Sequence, residues 1–123
     1  MSKPHTSHPF DAALALTQNT PGHFRGHTSP AYWNMVGPFG GTTAATALQA
    51  VLLHPALLGE PLSLTVNFAA AVAPGDFQLT ARPLRTNRST QHWFIEMTQP
   101  DAQGVQSVLM SATAVTAACG LLL

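Results

Sequence analysis

Gly40-Gly41-Thr42 stands where a Pro/Gly turn opens directly into a long apolar run. A helix that starts there leaves its first N–H groups unpaired, and without side chains at the glycines these groups are unobstructed. The helix dipole adds positive potential at the same point, which suits an oxyanion or a polarised carbonyl oxygen. The plainer role for the two glycines is to let the turn pack closely. Asn34 lies shortly before; its amide can orient a water molecule or cap the turn after Trp33. Trp33 and Phe39 offer apolar walls to the same region. Further along, Arg85 and Arg88 carry guanidinium forks that fit phosphate oxygens, or serve as solvated charges of a hairpin. Donors for a developing oxyanion and a group that places water are what attack on an acyl carbonyl requires.

Other chemistries fail on type or spacing. His23 and His27 fall on an expected strand, where four residues span ~13 Å, too far to share one metal ion. His5 and His8 lie in a polar start, and His92 adjoins Trp93, where a structural role is expected. There is no G-x-S-x-G elbow and no phosphate loop. Cys119 is a lone thiol near an apolar end and is expected to be inert. Asn87-Arg88-Ser89 matches a glycosylation acceptor, which means nothing without a secretory signal. No acidic residue falls between Asp11 and Glu60, so the stretch before the helix cannot supply a carboxylate, and no His–acid pair is visible near the helix start. No metal and no cofactor are expected.

These groups must be held by the elements around them. Gly41 to His54 is bounded by Pro/Gly at one end and Pro55 at the other, which is helix punctuation. Ala44, Ala45, Leu48, Val51 and Leu52 follow helical spacing, with Ala47, Ala50 and Leu53 beside them. A helix apolar nearly all round wants burial, and Ala45 and Leu48 are expected to be almost wholly buried. Its length, roughly 20 Å, matches a strand of six or seven residues. Before it, Ala13 to Gln18 and His23 to Tyr32 read as two strands around the turn Asn19-Thr20-Pro21-Gly22, although Phe10 to Leu16 also suits a helical turn. After it, Leu62, Leu64, Val66 and Phe68 alternate with polar residues. Phe77, Leu79 and Ala81 do likewise, then Trp93, Ile95 and Met97, then Val105 to Val115. The turns between the later strands are short, so pairing is antiparallel. The expected fold is α+β: an antiparallel sheet of about six strands wrapped around one central helix.

The chain has 123 residues, enough for a single core. Charged residues make up only 8 % and cancel, against 46 % hydrophobic. That balance lacks the basic footprint of a nucleic-acid binder. It also leaves a poorly solvated surface, which suggests that a second subunit or domain covers part of it, unless this is simply an uncharged protein. No apolar run reaches the ~18–20 residues of a membrane span, and Met1 to His8 lacks the apolar core of a signal peptide, so the cytoplasm is the expected location. Residues 1–8 read as a disordered tail, 9–117 as the domain, and 118–123 as an apolar tail without a structural account.

In that order, four pieces resemble the first half of acyl-CoA thioesterase II-like proteins, members of the thioesterase superfamily built from hotdog domains. They are His23-Phe24-Arg25-Gly26-His27; Phe39-Gly40-Gly41; Leu62-Ser63-Leu64-Thr65-Val66-Asn67-Phe68 with Pro74-Gly75-Asp76; and Leu84-Arg85-Thr86-Asn87-Arg88-Ser89. The resemblance implies a single hotdog acting on an acyl-CoA thioester by direct water attack. The helix start at Gly40 and Gly41 would meet the thioester together with Asn34. Trp33, Phe39, Thr42, Arg85 and Arg88 would contact the substrate, the arginines at the coenzyme's phosphates. The alternative is a non-catalytic acyl-binding or assembly half, since the family's water-activating residues lie mostly in a second hotdog. The resemblance also implies a partner hotdog, either a second copy in a homodimer or another half, joined through Leu62 to Ala69 at the sheet edge.

Overall fold

The computed structural model describes residues 13–32 and 40–118. Two short strands, β1 (Leu16–Thr20) and β2 (His23–His27), form a hairpin, and a 3-10 turn follows at Pro30–Tyr32. The helix α1 (Gly40–Leu52) comes next, then β3 (Glu60–Phe68), β4 (Asp76–Thr86), β5 (Thr90–Pro100) and β6 (Gln106–Ala117). They make one six-stranded sheet in the order β1-β2-β4-β5-β6-β3. Every pairing is antiparallel. Among the described residues the element order agrees with expectation, with one long helix, and β3 lies at an edge. The boundaries differ: the helix runs from Gly40 to Leu52, not Gly41 to His54, and the last strand from Gln106 to Ala117, not Val105 to Val115. The second strand stops at His27 because Pro30 has no N–H to donate to a ladder. The first strand starts only at Leu16, with Ala13 in a helical turn. The edge strand starts earlier, at Glu60 and Pro61, with a register shift before Ser63. The polar start, the apolar end with Cys119, and the stretch 33–39 lie outside the described residues.

The helix packs on the two central strands, β4 and β5. Its buried face is Thr42, Thr43, Thr46, Ala47, Ala50 and Val51. Here the expectation for Ala45 and Leu48 is wrong: both are only half-buried, as is Ala44, and Leu52 is exposed. The stripe is turned away from the one that hydrophobicity alone selects. Small residues win the inner face because the sheet supplies the bulk: Trp93, Ile95 and Met97 are at most 2 % exposed and fill the gap. Threonine tolerates the position because its hydroxyl can be satisfied within the helix; Thr46 Oγ1 donates to the Thr42 carbonyl at 2.8 Å.

Along β5, inward and outward residues alternate cleanly, with Gln91, Trp93, Ile95, Met97 and Gln99 all buried. The two glutamines tie down the two segments that cross the ends of the sheet. Leu58 N–H donates to Gln91 Oε1 at 2.8 Å, and Gln91 Nε2 donates to Ala56 O and Thr86 Oγ1, each at 2.9 Å. At the other end, Ala73 N–H donates to Gln99 Oε1 at 2.9 Å, and Gln99 Nε2 donates to Ala73 O at 2.8 Å and Asp76 O at 3.2 Å. Gly59, with φ +73°, turns the first crossing segment onto the β6 end, where a Cβ would run into the Ala117 carbonyl.

Replacing Ala47, which is fully buried, with Leu should cost ~1–3 kcal/mol through overpacking. Ala45→Leu should cost clearly less, because that position has open space on one side. Urea titration of the two variants side by side checks the assignment of the helix face; equal losses would contradict it.

Candidate active site

The opening of α1 faces a small cavity lined by Thr42, Thr43 and Thr46 of the helix, Thr28 and Ser29 after β2, and Phe77 and Met97 of the sheet. Its volume is about 20 Å³, room for one water-sized oxygen. The local sequence builds it. Thr42 and Thr46, one turn apart, put two hydroxyls on the buried face, and Thr46 spends its own on the Thr42 carbonyl. Thr42 Oγ1 is buried and has no hydrogen-bond partner among the described residues. A buried hydroxyl left in that state costs free energy that a ligand oxygen or a water recovers. The cavity wall is held by a clamp at the end of β2: Thr28 N–H donates to Gly75 O at 2.9 Å, and Gly75 N–H donates to Thr28 Oγ1 at 2.8 Å.

Gly40 and Gly41 are the first two residues of α1, half-buried and exposed respectively. The Phe68 ring from the edge strand lies over Gly40, 3.5 Å from where a Cβ would stand. Thr42, the next residue, lines the cavity, which the two glycines do not. Trp33, Asn34 and Phe39 lie outside the described residues. Arg85 and Arg88 are exposed on the β4–β5 hairpin, and Arg85 Nε donates to Asn87 Oδ1 at 2.8 Å. Arg85 stands about 26 Å along β4 from Phe77 at ~3.3 Å per residue. Within one chain, the arginines and the helix opening are therefore not brought together.

One pair escaped the sequence reading. The β2–β4 register sets His27 opposite Asp76, with His27 Nδ1 and Asp76 Oδ1 2.7 Å apart. His27 also lines the threonine cavity. Both side chains are exposed and alternate with the inward Phe24, Gly26 and Phe77, so the pair stands on the face of the sheet away from the helix. The two residues sit in separate motifs of the sequence, and only strand register joins them. The bond from His27 holds the Asp76 carboxyl below its ordinary 3.8; burial opposes it, and the neighbouring charges of His27 and Arg25 add to the lowering. At the far end of the helix, burial lowers the pKa of His54 from its ordinary 6.5. That ring lies edge-on to Trp93, with centroids 4.9 Å apart, and its Nδ1 accepts from Ala56 N–H at 2.9 Å. Among the described residues no group of three or more His, Cys, Asp or Glu could hold a metal ion. No helix among them is long and apolar enough to cross a membrane.

A helix laid on a six-stranded antiparallel sheet is the frame of the hotdog proteins. The family model of the acyl-CoA thioesterase N-terminal domain matches residues 29–117. The chain belongs to that family. Among solved structures, a conserved hot dog fold protein from Alicyclobacillus acidocaldarius is 49% identical with a TM-score of 0.84, and the match covers 92% of this chain and 40% of that one. A candidate thioesterase II from Thermobifida fusca is 17% identical with a TM-score of 0.77, covering 89% of this chain and 39% of that one. A mutant of the phenylacetic acid degradation protein PaaI from Thermus thermophilus is 18% identical with a TM-score of 0.71, covering 90% and 99%. The last two likenesses concern the fold alone. The chain spans about two-fifths of the length of the first two relatives. No curated protein gives a significant match.

Thr42→Val keeps the shape and removes the orphan hydroxyl. It should leave the melting temperature unchanged or raise it, since a buried unsatisfied group is lost. It should also weaken acyl-CoA binding by about 3- to 10-fold, one hydrogen bond's worth. A variant that melts lower and binds normally would show the hydroxyl to be structural. The His54 shift has its own consequence. The unfolded chain takes up a proton near 6.5 and the folded chain only at lower pH, so stability is full above 6.5 and falls as the pH drops from there through the folded-state pKa. Urea midpoints measured between pH 8 and pH 5 should show that loss in the wild type and less of it in His54→Phe.

Proposed function

We propose that this chain is a catalytic hotdog of the acyl-CoA thioesterase type, hydrolysing a coenzyme A thioester by direct attack of water. The observation that carries the reading is the unpartnered Thr42 hydroxyl at the opening of α1, in a cavity the size of one oxygen. A thioester carbonyl placed there receives the free N–H groups of the first helical turn at Gly40 and Gly41, the positive end of the helix dipole, and the Thr42 hydroxyl. All three strengthen as charge builds on that oxygen in the transition state. Water attacks the carbonyl carbon, and the tetrahedral oxyanion collapses with cleavage of the C–S bond. The products are the free acid and the coenzyme's thiol. Asn34 places the water, and Trp33 and Phe39 wall the acyl chain. No metal or other cofactor enters this scheme, and the protein works in the cytoplasm.

The active unit is a pair of hotdogs, either two copies of this chain or this chain with another hotdog. Support comes from β3, an edge strand whose outer rim is unpaired and whose Leu62 and Phe68 are 57% and 58% exposed. The usual guards against pairing stand only at its start, Glu60 and Pro61, and nothing along Leu62 to Phe68 is charged. Two copies joined antiparallel there, about a two-fold axis, reverse the ends of the sheet. The β4–β5 hairpin of one copy then stands at the same end as the helix opening of the other. That arrangement offers Arg85 and Arg88 to the phosphates of a coenzyme bound at the partner's site. A second reading, a non-catalytic acyl-binding half, draws on the absence of a carboxylate between Asp11 and Glu60.

Thiol release by the purified protein against short, medium and long acyl-CoAs tests the reaction, with turnover of at least one chain length expected. Binding without turnover would favour the acyl-binding half. Light scattering should give a dimer at micromolar concentration, and Leu62→Lys with Phe68→Lys should yield monomers with activity lost in parallel. A stable wild-type monomer would refute the homodimer.

A further inference from the structure

Gly26 stands within β2, where a glycine weakens a strand unless something needs its space. Its φ lies outside the left-handed region that favours glycine, so the backbone does not call for it. The neighbours do. Strand register sets Gly26 between Leu16 of β1 and Phe77 of β4. A Cβ there would stand 2.5 Å and 2.6 Å from Cζ and Cε1 of the Phe77 ring, and 2.8 Å from Leu16 Cδ2. The tip of the ring thus lies in the space a side chain would take. Phe77 is buried and lines the cavity of the orphan Thr42 hydroxyl.

We propose that Phe77 sets the size of the cavity at the helix opening, and that Gly26 is its positioning residue, the seat that keeps the ring from filling it. The inference rests on the thioesterase reading and names the residues that fit its oxyanion site to one oxygen. Gly26 alternates with the exposed Arg25 and His27, so it faces the helix side of the sheet. A Cβ there points off the sheet and drives the ring the same way. Carbon contacts are best at ~3.5–4.0 Å, so the ring tip would move by about 1 Å or more. Phe24, Val72, Leu79 and Met97 pack in the same core, and a close-packed core yields only where space is left. The cavity bordering the ring is such a space. At about 20 Å³ it does not survive a shift of that size.

The second neighbour is less constrained. Leu16 is only half-buried and lies on the edge strand β1, so its end can turn outward. The ring therefore carries the effect of Gly26 to the site. A cavity cut to one oxygen also excludes a second water from the Thr42 hydroxyl. That keeps the donor free for the charge that develops in the transition state.

The experiment measures kcat, KM and the urea midpoint of the full chain as wild type, Gly26→Ala, Phe77→Leu and the double variant. It also measures the affinity of each for a ketone analogue of acyl-CoA, with a methylene between sulfur and carbonyl. The analogue keeps the carbonyl oxygen and cannot be hydrolysed. In Gly26→Ala, kcat should fall by about 30- to 100-fold and KM rise by less than about 10-fold, since the lost contacts are strongest in the transition state. Phe77→Leu lacks Cζ and Cε1 and leaves the cavity too wide, so kcat should fall by about 10-fold. In that background Gly26→Ala should cost less than about 3-fold more, because no ring tip is left to displace. A glycine needed only for packing would lower the urea midpoint of Gly26→Ala and leave kcat unchanged, and that result would overturn the proposal. A kcat loss of equal size in both backgrounds would do the same, since the ring would not be its carrier. Should Gly26→Ala fail to fold, Phe77→Leu carries the test through its kcat, and an unchanged value there is fatal to it. A wild type that binds the analogue but turns over no acyl-CoA would overturn the thioesterase reading alone. The seat is then read from affinity, weakened in Gly26→Ala by about 3- to 10-fold, one hydrogen bond's worth, and restored in the double variant. Unchanged affinity in Gly26→Ala, or no binding by the wild type, would overturn the seat as well.

Discussion

The fold depends on the inner face of β5, where a glutamine stands at each end of an apolar ladder. Trp93, Ile95 and Met97 supply the bulk that the small helix face lacks, and Trp93 Nε1 is satisfied by donating to Thr116 Oγ1 at 3.1 Å. Gln91 and Gln99 do something different. A helix laid across an open sheet requires two crossings, one from the helix to the β3 edge and one from β3 back to β4. Each crossing carries backbone polar groups over a hydrophobic core, where leaving one unpaired costs ~1–3 kcal/mol. Each glutamine supplies both a donor and an acceptor at that point. The second crossing is pinned at every strand it passes: Ala69 and Ala70 donate to Leu109 O on β6, Ala73 meets Gln99 on β5, and Gly75 meets Thr28 after β2. Val72, in the middle of that segment, lines the threonine cavity. The constraint that closes the core therefore also shapes the site.

Much of this was legible from alternation and turn chemistry. The helix punctuation at Gly40 and Pro55, the period of two in β3 to β6, and the turns at Pro21-Gly22, Pro74-Gly75 and Asn87-Arg88 define the element order, and the edge place of β3 agrees with the observed sheet. The rotation of the helix was not legible. When nearly every position is alanine, leucine or threonine, hydrophobicity cannot rank the faces. The decision falls to volume: Ala47 and Ala50 share one core with Trp93 and Met97, where a larger side chain such as leucine would overpack. Thr42 was visible as a position but not as a buried orphan, because burial is a property of the packed sheet. The His27–Asp76 pair was hidden for a related reason. The two residues are 49 positions apart, and nothing short of the β2–β4 register brings them within hydrogen-bond distance.

The two incomplete features of the chain turn out to be neighbours. Phe68, Met110, Met97, Leu79 and Phe24 form one row across the sheet, each opposite the next in register. That row runs from the unpaired edge to the second strand and passes Met97, which lines the cavity at the helix opening. Phe68 ends it, 58% exposed, with its ring over Gly40. An aromatic ring left that open on an uncharged edge strand gains by being covered, at ~25 cal/mol for each Å² removed from water. In the proposed pair of hotdogs, a partner on β3 would cover Phe68 beside the first residues of the helix. On that proposal, completion of the edge and completion of the site would be one event, because the contact that removes apolar surface from water would also lower the dielectric around the helix terminus, where a low dielectric strengthens the hold on an oxyanion.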